Sequence, residues 1–226
     1  MRFIKSYVLR AGRMSDAQRR SYENLSGAYC LPFQPEPLDI PRIFGNENPL
    51  TVEIGFGMGI ATAEIAEANP GVNYLGFEVH RPGIGRLLWE IEKRGLSNIR
   101  IVECDAAEGI EQMIRLGAAA AFHIFFPDPW PKKRHHKRRL VTRPFTDLLA
   151  EKLSGNGYIC MVTDWVEYAD WALAELSATP HLVNPYAGNG GFAPPQMWRP
   201  RTKFEQKGLA KGHEVREIYF KRLLSV

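Results

Sequence analysis

The chain has 226 residues, of which 45% are apolar and 24% charged, enough for one sizeable α/β domain with its own core. The formal charge of +4 comes from 29 basic and 25 acidic residues, so charge alone does not indicate a nucleic-acid partner. The longest apolar run, 118–126, is far shorter than the ~20 residues of a membrane span, and three widely spaced cysteines argue against a disulfide framework. We expect a cytoplasmic protein without a membrane segment or a secretory signal.

The first 45 residues differ in composition from the rest of the chain. They carry arginines among polar residues, and four prolines follow between positions 32 and 41. The arginines include Arg10, Arg13, Arg19 and Arg20. We predict that residues 1–45 form a basic, proline-rich arm packed on a single domain of residues 46–226.

From residue 50 onward, strand-like apolar runs alternate with helical stretches. Strands are predicted at 50–54, 72–79, 99–104, 119–126, 158–163 and 214–222. Helices are predicted at 60–68, 82–94, 145–153 and 165–177, with a weak helix before the fourth strand. This alternation predicts a doubly wound α/β fold with a parallel sheet, and such sheets bind ligands at the carboxyl ends of their strands.

A glycine-rich turn joins the first of these strands to the first helix. Gly55, Gly57 and Gly59 allow a tight turn and a close backbone approach to a ligand, although a purely structural turn is the alternative. The dinucleotide fingerprint fails because its third glycine would fall on Ile60. Glu53, just before the turn, would repel a pyrophosphate but suits the sulfonium and ammonium of S-adenosylmethionine.

Acidic residues also end the next two strands. Glu78 is placed to accept hydrogen bonds from ribose hydroxyls, or it is a solvated acid at a strand end. Asp105 is placed to accept a hydrogen bond from an adenine amino group, or it caps the helix that follows. Three acids at the ends of three consecutive strands favour a cofactor site.

The fourth strand runs into the segment Phe126-Pro-Asp-Pro-Trp-Pro131. Its prolines hold the chain extended, and its tryptophan offers a stacking face. Because this segment lies at the reacting edge of the sheet, we expect Asp128 to point toward the transferable methyl group. The arrangement is similar to the Asp/Asn-Pro-Pro-aromatic segment with which many base-amino methyltransferases hold their base.

A strongly basic run, residues 132–139, follows directly. It contains six Lys or Arg residues and two His residues. Most such runs are solvated faces, but this one lies inside the domain beside an aromatic residue, which favours phosphate binding. His135 and His136 are adjacent and would point apart, so we expect no metal site.

Two later motifs leave alternatives open. Asp164 follows the fifth strand and either belongs to the site or caps the next helix. The spacing of Thr202 and Glu205 is that of a capping box, and that is the interpretation the spacing alone favours.

Taken together, the motifs resemble the bacterial tRNA (guanine-N7)-methyltransferase family over nearly the whole chain. The similar segments are Ser6–Arg13, Glu53–Gly59, Gly76–His80, Phe126–Trp130, Lys137–Arg139, Thr163–Trp165, Arg199–Glu205 and Gly212–Phe220. The resemblance implies a Rossmann-like seven-stranded sheet of the class I methyltransferases, mostly parallel with an antiparallel C-terminal strand. It also implies methyl transfer from S-adenosylmethionine to N7 of a guanine in tRNA, with guanine-46 of the variable loop expected.

The resemblance assigns roles residue by residue. Cofactor binding falls on Glu53, Glu78, Asp105 and the glycine turn, and Asp128 both contacts the cofactor and takes part in catalysis. Expected substrate contacts are Lys132, Asp164, Thr202, Lys203, Phe204 and Glu205. Expected RNA contacts are Arg134, His135, His136, Lys137, Arg138 and Arg139. No obligate protein partner is expected, and the protein would be a monomer or a homodimer.

Three other functions fit parts of the sequence. A methyltransferase acting on another RNA, a protein or a small molecule would share the fold and cofactor site, and for a protein or a small molecule the basic run should be irrelevant. A non-catalytic RNA-binding module would keep the fold without binding S-adenosylmethionine. A nucleotide-dependent oxidoreductase is disfavoured by Ile60 and Glu53.

Overall fold

A computed structural model of the chain describes residues 6, 7 and 12–223. Arg10, which the sequence places in the basic arm, lies outside these residues. The chain forms two compact units. The N-terminal unit comprises residues 9–115, and the C-terminal unit comprises residues 116–226 together with residues 1–8.

The N-terminal unit is an α/β unit with parallel strands. Its helices are α1 (Asp16–Tyr29), α2 (Ile40–Phe44), α3 (Ile60–Ala68), α4 (Arg81–Arg94) and α5 (Ala106–Met113). Its strands are β1 (Cys30–Leu31), β2 (Leu50–Ile54), β3 (Asn73–Phe77) and β4 (Ile99–Val102). The strands follow the order β1-β4-β3-β2, and all their pairings are parallel. Every residue of β2 and β3 is buried, as expected for parallel strands covered on both faces.

Helix α1 lies in the segment that the sequence analysis described only as an arm. It begins with a capping box, in which the side chains of Ser15 and Gln18 satisfy each other's backbone N–H groups. The helix packs closely against α4. The approach is so close that a Cβ atom at Gly85 of α4 would lie only 2.7 Å from the Gln18 carbonyl oxygen. A hydrogen bond of 2.7 Å from the Tyr22 hydroxyl to the Glu103 carboxylate adds a second attachment.

The C-terminal unit is also α/β but contains antiparallel pairings. Its strands are β5 (Ala119–Phe125), β6 (Leu153–Thr163), β7 (Leu182–Val183) and β8 (Arg216–Arg222). Its helices are α6 (Arg143–Lys152), α7 (Val166–Ser177) and α8 (Lys203–Leu209), with short 3₁₀ helices at Lys133–Arg138 and Ala187–Asn189. In the order β5-β6-β8-β7, only β5 and β6 are parallel.

The predicted fold class, α/β with mostly parallel strands and an antiparallel C-terminal strand, is confirmed. The described residues contain eight strands rather than seven, and two of these, β1 and β7, have only two residues each. The domain boundary near residue 45 stays a prediction. Within residues 6–7 and 12–223, no helix combines the length and apolarity needed to cross a membrane.

Candidate active site

The predicted cofactor turn has the backbone that only glycine adopts easily. Gly55, Gly57 and Gly59 have φ values of 69°, 58° and 66°, all in the left-handed region. A Cβ atom at either of the first two would meet nothing within 4 Å, whereas one at Gly59 would lie 2.6 Å from the Leu87 Cβ. Two glycines therefore leave open space beside the turn, and the third allows close packing against α4.

Glu53, on β2, is the most unusual acid of the N-terminal unit. Its side chain is only 3% exposed, and its Oε2 atom lacks a hydrogen-bond partner among the described residues. Burial raises the pKa of Glu53 to about 7, and the negative charge of Glu78 acts in the same direction. A buried carboxylate without a full set of partners is suited to a cationic ligand, so the residue fits S-adenosylmethionine.

Glu78 holds the cofactor turn in place. Its Oε2 atom accepts a hydrogen bond of 2.8 Å from the backbone N–H of Gly57. Its Oε1 atom accepts from the backbone N–H groups of Val79 and His80, at 2.7 and 3.0 Å. A carboxylate offers about four acceptor positions. With three of them occupied, one acceptor position of Glu78 remains for a ligand.

Asp105 caps a helix, which is one of the two roles predicted for it from the sequence. Its Oδ1 atom accepts a hydrogen bond of 2.9 Å from the backbone N–H of Ala107, at the start of α5. The acid follows β4, Glu78 follows β3, and Glu53 is near the end of β2. Because these three strands are neighbours and parallel, their acids lie at one edge of the N-terminal unit.

In the C-terminal unit, Asp128 lies on a turn with an unusual backbone. Phe126 and Trp130, on either side of it, have φ values of 52° and 47°, which are rare for bulky residues. The Trp130 indole donates a hydrogen bond of 2.9 Å to the Ser6 carbonyl oxygen. Asp128 itself is exposed, so the turn presents its carboxylate to solvent.

Most of the basic run is available to a polyanion. Residues 133–138 form a 3₁₀ helix, and Lys132, Arg134 and Lys137 are exposed. Arg138 stacks on the Trp130 ring, with its guanidinium carbon 4.9 Å from the ring centre. The pKa of His135 is lowered, first by desolvation and then by the surrounding cations.

Arg139 is the exception, because its guanidinium is buried and paired within the protein. The residue is 2% exposed, and its guanidinium donates to the Glu167 carboxylate and, at 3.0 Å, to the Pro129 carbonyl oxygen. Desolvating a cation is costly unless it is paired, and here the pairing is internal.

The motif at α8 forms the capping box that its spacing predicts. The Thr202 hydroxyl accepts from the Glu205 N–H at 3.0 Å, and Glu205 accepts from the Thr202 N–H at 3.3 Å. Glu205 is only 3% exposed, and its predicted substrate contact stays a prediction. Phe204 is 58% exposed and meets the Phe126 ring edge to face at 5.2 Å, while the side chain of Lys203 lies outside the described part of the chain.

Sequence reasoning gave no role to the residue that holds this motif. Arg199 is buried and donates to both Glu205 oxygens, at 2.6 and 2.9 Å, and to Glu217 at 2.6 Å. The result is a buried ion triad that fixes the start of α8 against β8. Its only sequence signal was that Arg199 and Glu205 belong to one of the similar segments.

Asp164 does not cap α7, whose N-cap residue is Trp165. Its Oδ2 atom lies 3.0 Å from the Nδ1 atom of His213, which the sequence analysis did not single out. The carboxylate is thus a partly exposed group beside α8. In the portion of the chain that the structure describes, His, Cys, Asp and Glu form no cluster of three or more able to hold a metal ion.

Comparison with solved structures places the fold. A methyltransferase described as antibiotic-related aligns with a TM-score of 0.52 and 21% identity, over 83% of this chain and 93% of that one. An S-adenosylmethionine-dependent O-methyltransferase from Thermotoga maritima also aligns with a TM-score of 0.52, at 17% identity, over 83% of this chain and 64% of that one. At these identities the likeness shows the fold alone.

Sequence relatives are far more similar. The family model described as "Putative methyltransferase" matches residues 47–218. The tRNA (guanine-N(7)-)-methyltransferase of Nitrosospira multiformis is 48% identical over 97% of this chain and 94% of its own length. The protein of the same name from Cupriavidus metallidurans is 49% identical over 98% of this chain and 84% of its own length. On these matches, the chain belongs to the tRNA (guanine-N7-)-methyltransferase family.

Proposed function

We propose that this protein transfers the methyl group of S-adenosylmethionine to N7 of a guanine in tRNA, with guanine-46 as the expected target. The observation that carries the proposal is the buried, incompletely partnered carboxylate of Glu53 beside a glycine turn with open space. This carboxylate supports the binding of a cationic ligand at the strand ends. The proposed substrate, N7 of a guanine in tRNA, is supported by the names of the two relatives.

S-adenosylmethionine, when bound, supplies an electrophilic methyl group on a positively charged sulfur. Glu53 would pair with the positive charge of the ligand. This ion pair would compensate the buried carboxylate for the hydration that it has lost. Glu78 would keep the turn in place and accept one ribose hydroxyl, and Asp105 would accept from the adenine amino group with its oxygen that is not used as the cap.

The C-terminal unit would hold the guanine. Guanine N7 already has a lone pair, so no strong general base is needed, and alignment alone can remove about 7–11 kcal/mol of the barrier. The exposed Asp128 carboxylate would accept from the N1–H and N2–H groups of guanine and would favour positive charge on the methylated base. Thr202, Phe204 and Asp164 would complete the pocket, with the exposed Phe204 ring as a stacking face.

The basic run would bind the phosphates near the target base. Exposed Lys132, Arg134 and Lys137 are suited to this role, and Arg138 on Trp130 adds a planar cation. The predicted cytoplasmic localisation, the monomeric or homodimeric state and the absence of an obligate partner stay predictions.

A methylation assay with mapped product tests the proposal. Unmodified tRNA and S-adenosylmethionine are incubated with wild-type protein and with Asp128→Asn, and the 7-methylguanosine is located by chemical cleavage. We expect a single modified guanine in the wild type, and a loss of turnover of about 100-fold or more in the variant, comparable to removing a preorganised polar group.

The same samples separate the alternatives. Calorimetric titration should show that Asp128→Asn still binds S-adenosylmethionine, because Glu53, Glu78 and Asp105 are unchanged. A wild-type protein that binds the cofactor without methylating tRNA would favour another substrate. One that binds tRNA without binding the cofactor would favour a non-catalytic RNA-binding module.

A further inference from the structure

Arg139 is buried at the end of the basic run and engages most of its hydrogen-bonding capacity inside the protein. Its Nε atom donates to the Pro129 carbonyl oxygen at 3.0 Å, and its two terminal nitrogens donate to the two carboxylate oxygens of Glu167. One of these nitrogens also lies 3.1 Å from the His136 Nε2 atom. Four of the five N–H groups of an arginine are thereby directed at protein atoms.

Two aromatic rings also lie against the Arg139 guanidinium. Its carbon lies 5.1 Å from the centre of the Tyr168 ring and 5.0 Å from that of the Trp171 ring. Both aromatic residues belong to α7, as does Glu167 in the first turn of that helix. Helix α7 therefore holds the Arg139 side chain through an ion pair and through two ring contacts.

What Arg139 holds in turn is the segment that carries Asp128. Pro129 is the next residue, and the turn around it contains the left-handed residues Phe126 and Trp130. Such a backbone persists only where the surrounding structure fixes it. The hydrogen bond from Arg139 to the Pro129 carbonyl links this turn to α7, and it is made one peptide unit away from the acid.

Lysine could not take over these contacts. Its ammonium is a point charge with three donors, whereas the planar fork of arginine meets a carboxylate with two parallel bonds and still donates from Nε. The arrangement thus requires this side chain for its geometry and not only for its charge.

We propose that Arg139 is a positioning residue, which ties the Asp128 turn to Glu167 on α7 and does not contact tRNA. This inference rests on the proposed function, because it concerns the orientation of the acid that would hold guanine. It predicts that changes at Arg139 act on turnover, whereas changes at the exposed cations of the same run act on tRNA binding.

The test compares Arg139→Lys with Lys137→Gln, an exposed neighbour in the same run, by kcat, by KM for tRNA and by the salt dependence of tRNA binding. In Arg139→Lys, we expect kcat to fall about 10- to 100-fold, the effect of misplacing a reacting group by about 1 Å, with KM and the salt slope unchanged. In Lys137→Gln, we expect KM to rise and the slope of log K against log salt to become shallower by about 0.7–0.9, the value for one phosphate contact.

Glu167→Gln keeps the test decisive if Arg139→Lys fails to fold. Glu167 is 56% exposed, and glutamine keeps one acceptor oxygen for the Arg139 guanidinium, although the buried cation loses its carboxylate partner; kcat should still fall about threefold or more while the salt slope holds. Where both single variants fold, the double variant should be no slower than Arg139→Lys alone, because both remove the same link.

Three results would overturn the inference: a salt slope for Arg139→Lys that changes as that of Lys137→Gln does, full turnover in Arg139→Lys or in Glu167→Gln, or losses that multiply in the double variant. The proposed function fails separately, since it is judged on the wild type alone. A wild type that methylates tRNA, with a fully active Arg139→Lys, would refute only the positioning role.

Discussion

Replacing Glu53 by glutamine should stabilise the ligand-free protein at neutral pH and weaken its binding of S-adenosylmethionine. The side chain is 3% exposed, and burial raises its pKa from 4.5 to about 7. That difference is about 2.5, and each unit of pKa is worth about 1.4 kcal/mol, so keeping the carboxylate ionised costs the native state about 3 kcal/mol.

The pH window follows from the direction of this change. Between pH 4.5 and 7 the native state holds a proton on Glu53 that the unfolded chain has lost, so the contribution of Glu53 to the free energy of unfolding falls as the pH rises through this range. Above pH 7 both states are ionised and the cost is constant. Glutamine cannot ionise, so the free energy of unfolding of the variant does not include this decrease.

Urea unfolding of the wild type and Glu53→Gln at pH 5, 6, 7 and 8, without cofactor, measures the effect. The stability of the variant minus that of the wild type should grow by about 3 kcal/mol from low to high pH. Glu47→Gln, at an exposed position just before β2, is the matched control.

Cofactor affinity is the second measurement on these samples. Losing a hydrogen bond or ion pair to a charged group costs about 1.5–3 kcal/mol, so the dissociation constant of Glu53→Gln should rise about 10- to 100-fold. A stability difference that is flat across pH would refute the argument from burial. Wild-type affinity in the variant would refute the assignment of Glu53 to the ligand.

Three further predictions concern stability. Burial lowers the pKa of His123 from 6.5 to about 3, so the contribution of His123 to stability declines as the pH falls below 6.5. The stability of His123→Phe minus that of the wild type should therefore grow in urea titrations from pH 6.5 to 4, and a difference that is constant across this range would contradict this. Arg199→Met leaves two buried carboxylates without their cation and should lower the free energy of unfolding by about 3–5 kcal/mol, seen as a lower urea midpoint; an unchanged midpoint would argue against the triad. Gly59→Ala should melt at a lower temperature than Gly57→Ala, because only the former brings a Cβ against Leu87, and the reverse order would show that this contact relaxes easily.

The fold was predictable from sequence where the signals were local. Strands β2 and β3 are buried and mostly apolar, and Gly95 closes α4 in the left-handed conformation expected of a helix end. Two-residue strands such as β1 have no periodicity to detect, since they exist through pairing with a distant neighbour. Helix α1 has a capping box in its sequence, but its composition is strongly polar and it buries only Ser21, so its few apolar residues give little signal.

The candidate site was also predictable only where its residues are set by local sequence signals. The glycine turn and the acids at the strand ends are set by strand–turn–helix connections that a sequence reveals. The burial of Arg139 depends on Glu167, Tyr168 and Trp171, which are about 30 positions away, and nothing in a basic run distinguishes its anchored member from its exposed ones. For Glu205, the capping-box spacing did predict the contacts that occupy it.

The two left-handed aromatic residues beside Asp128 have a consequence for engineering this protein. A bulky residue in that conformation costs about 1–2 kcal/mol, and glycine would remove much of the cost. Trp130→Gly would relieve this backbone cost, but it would also remove the indole anchor to Ser6 and the platform under Arg138, so a variant relaxed at this position should be a slower enzyme.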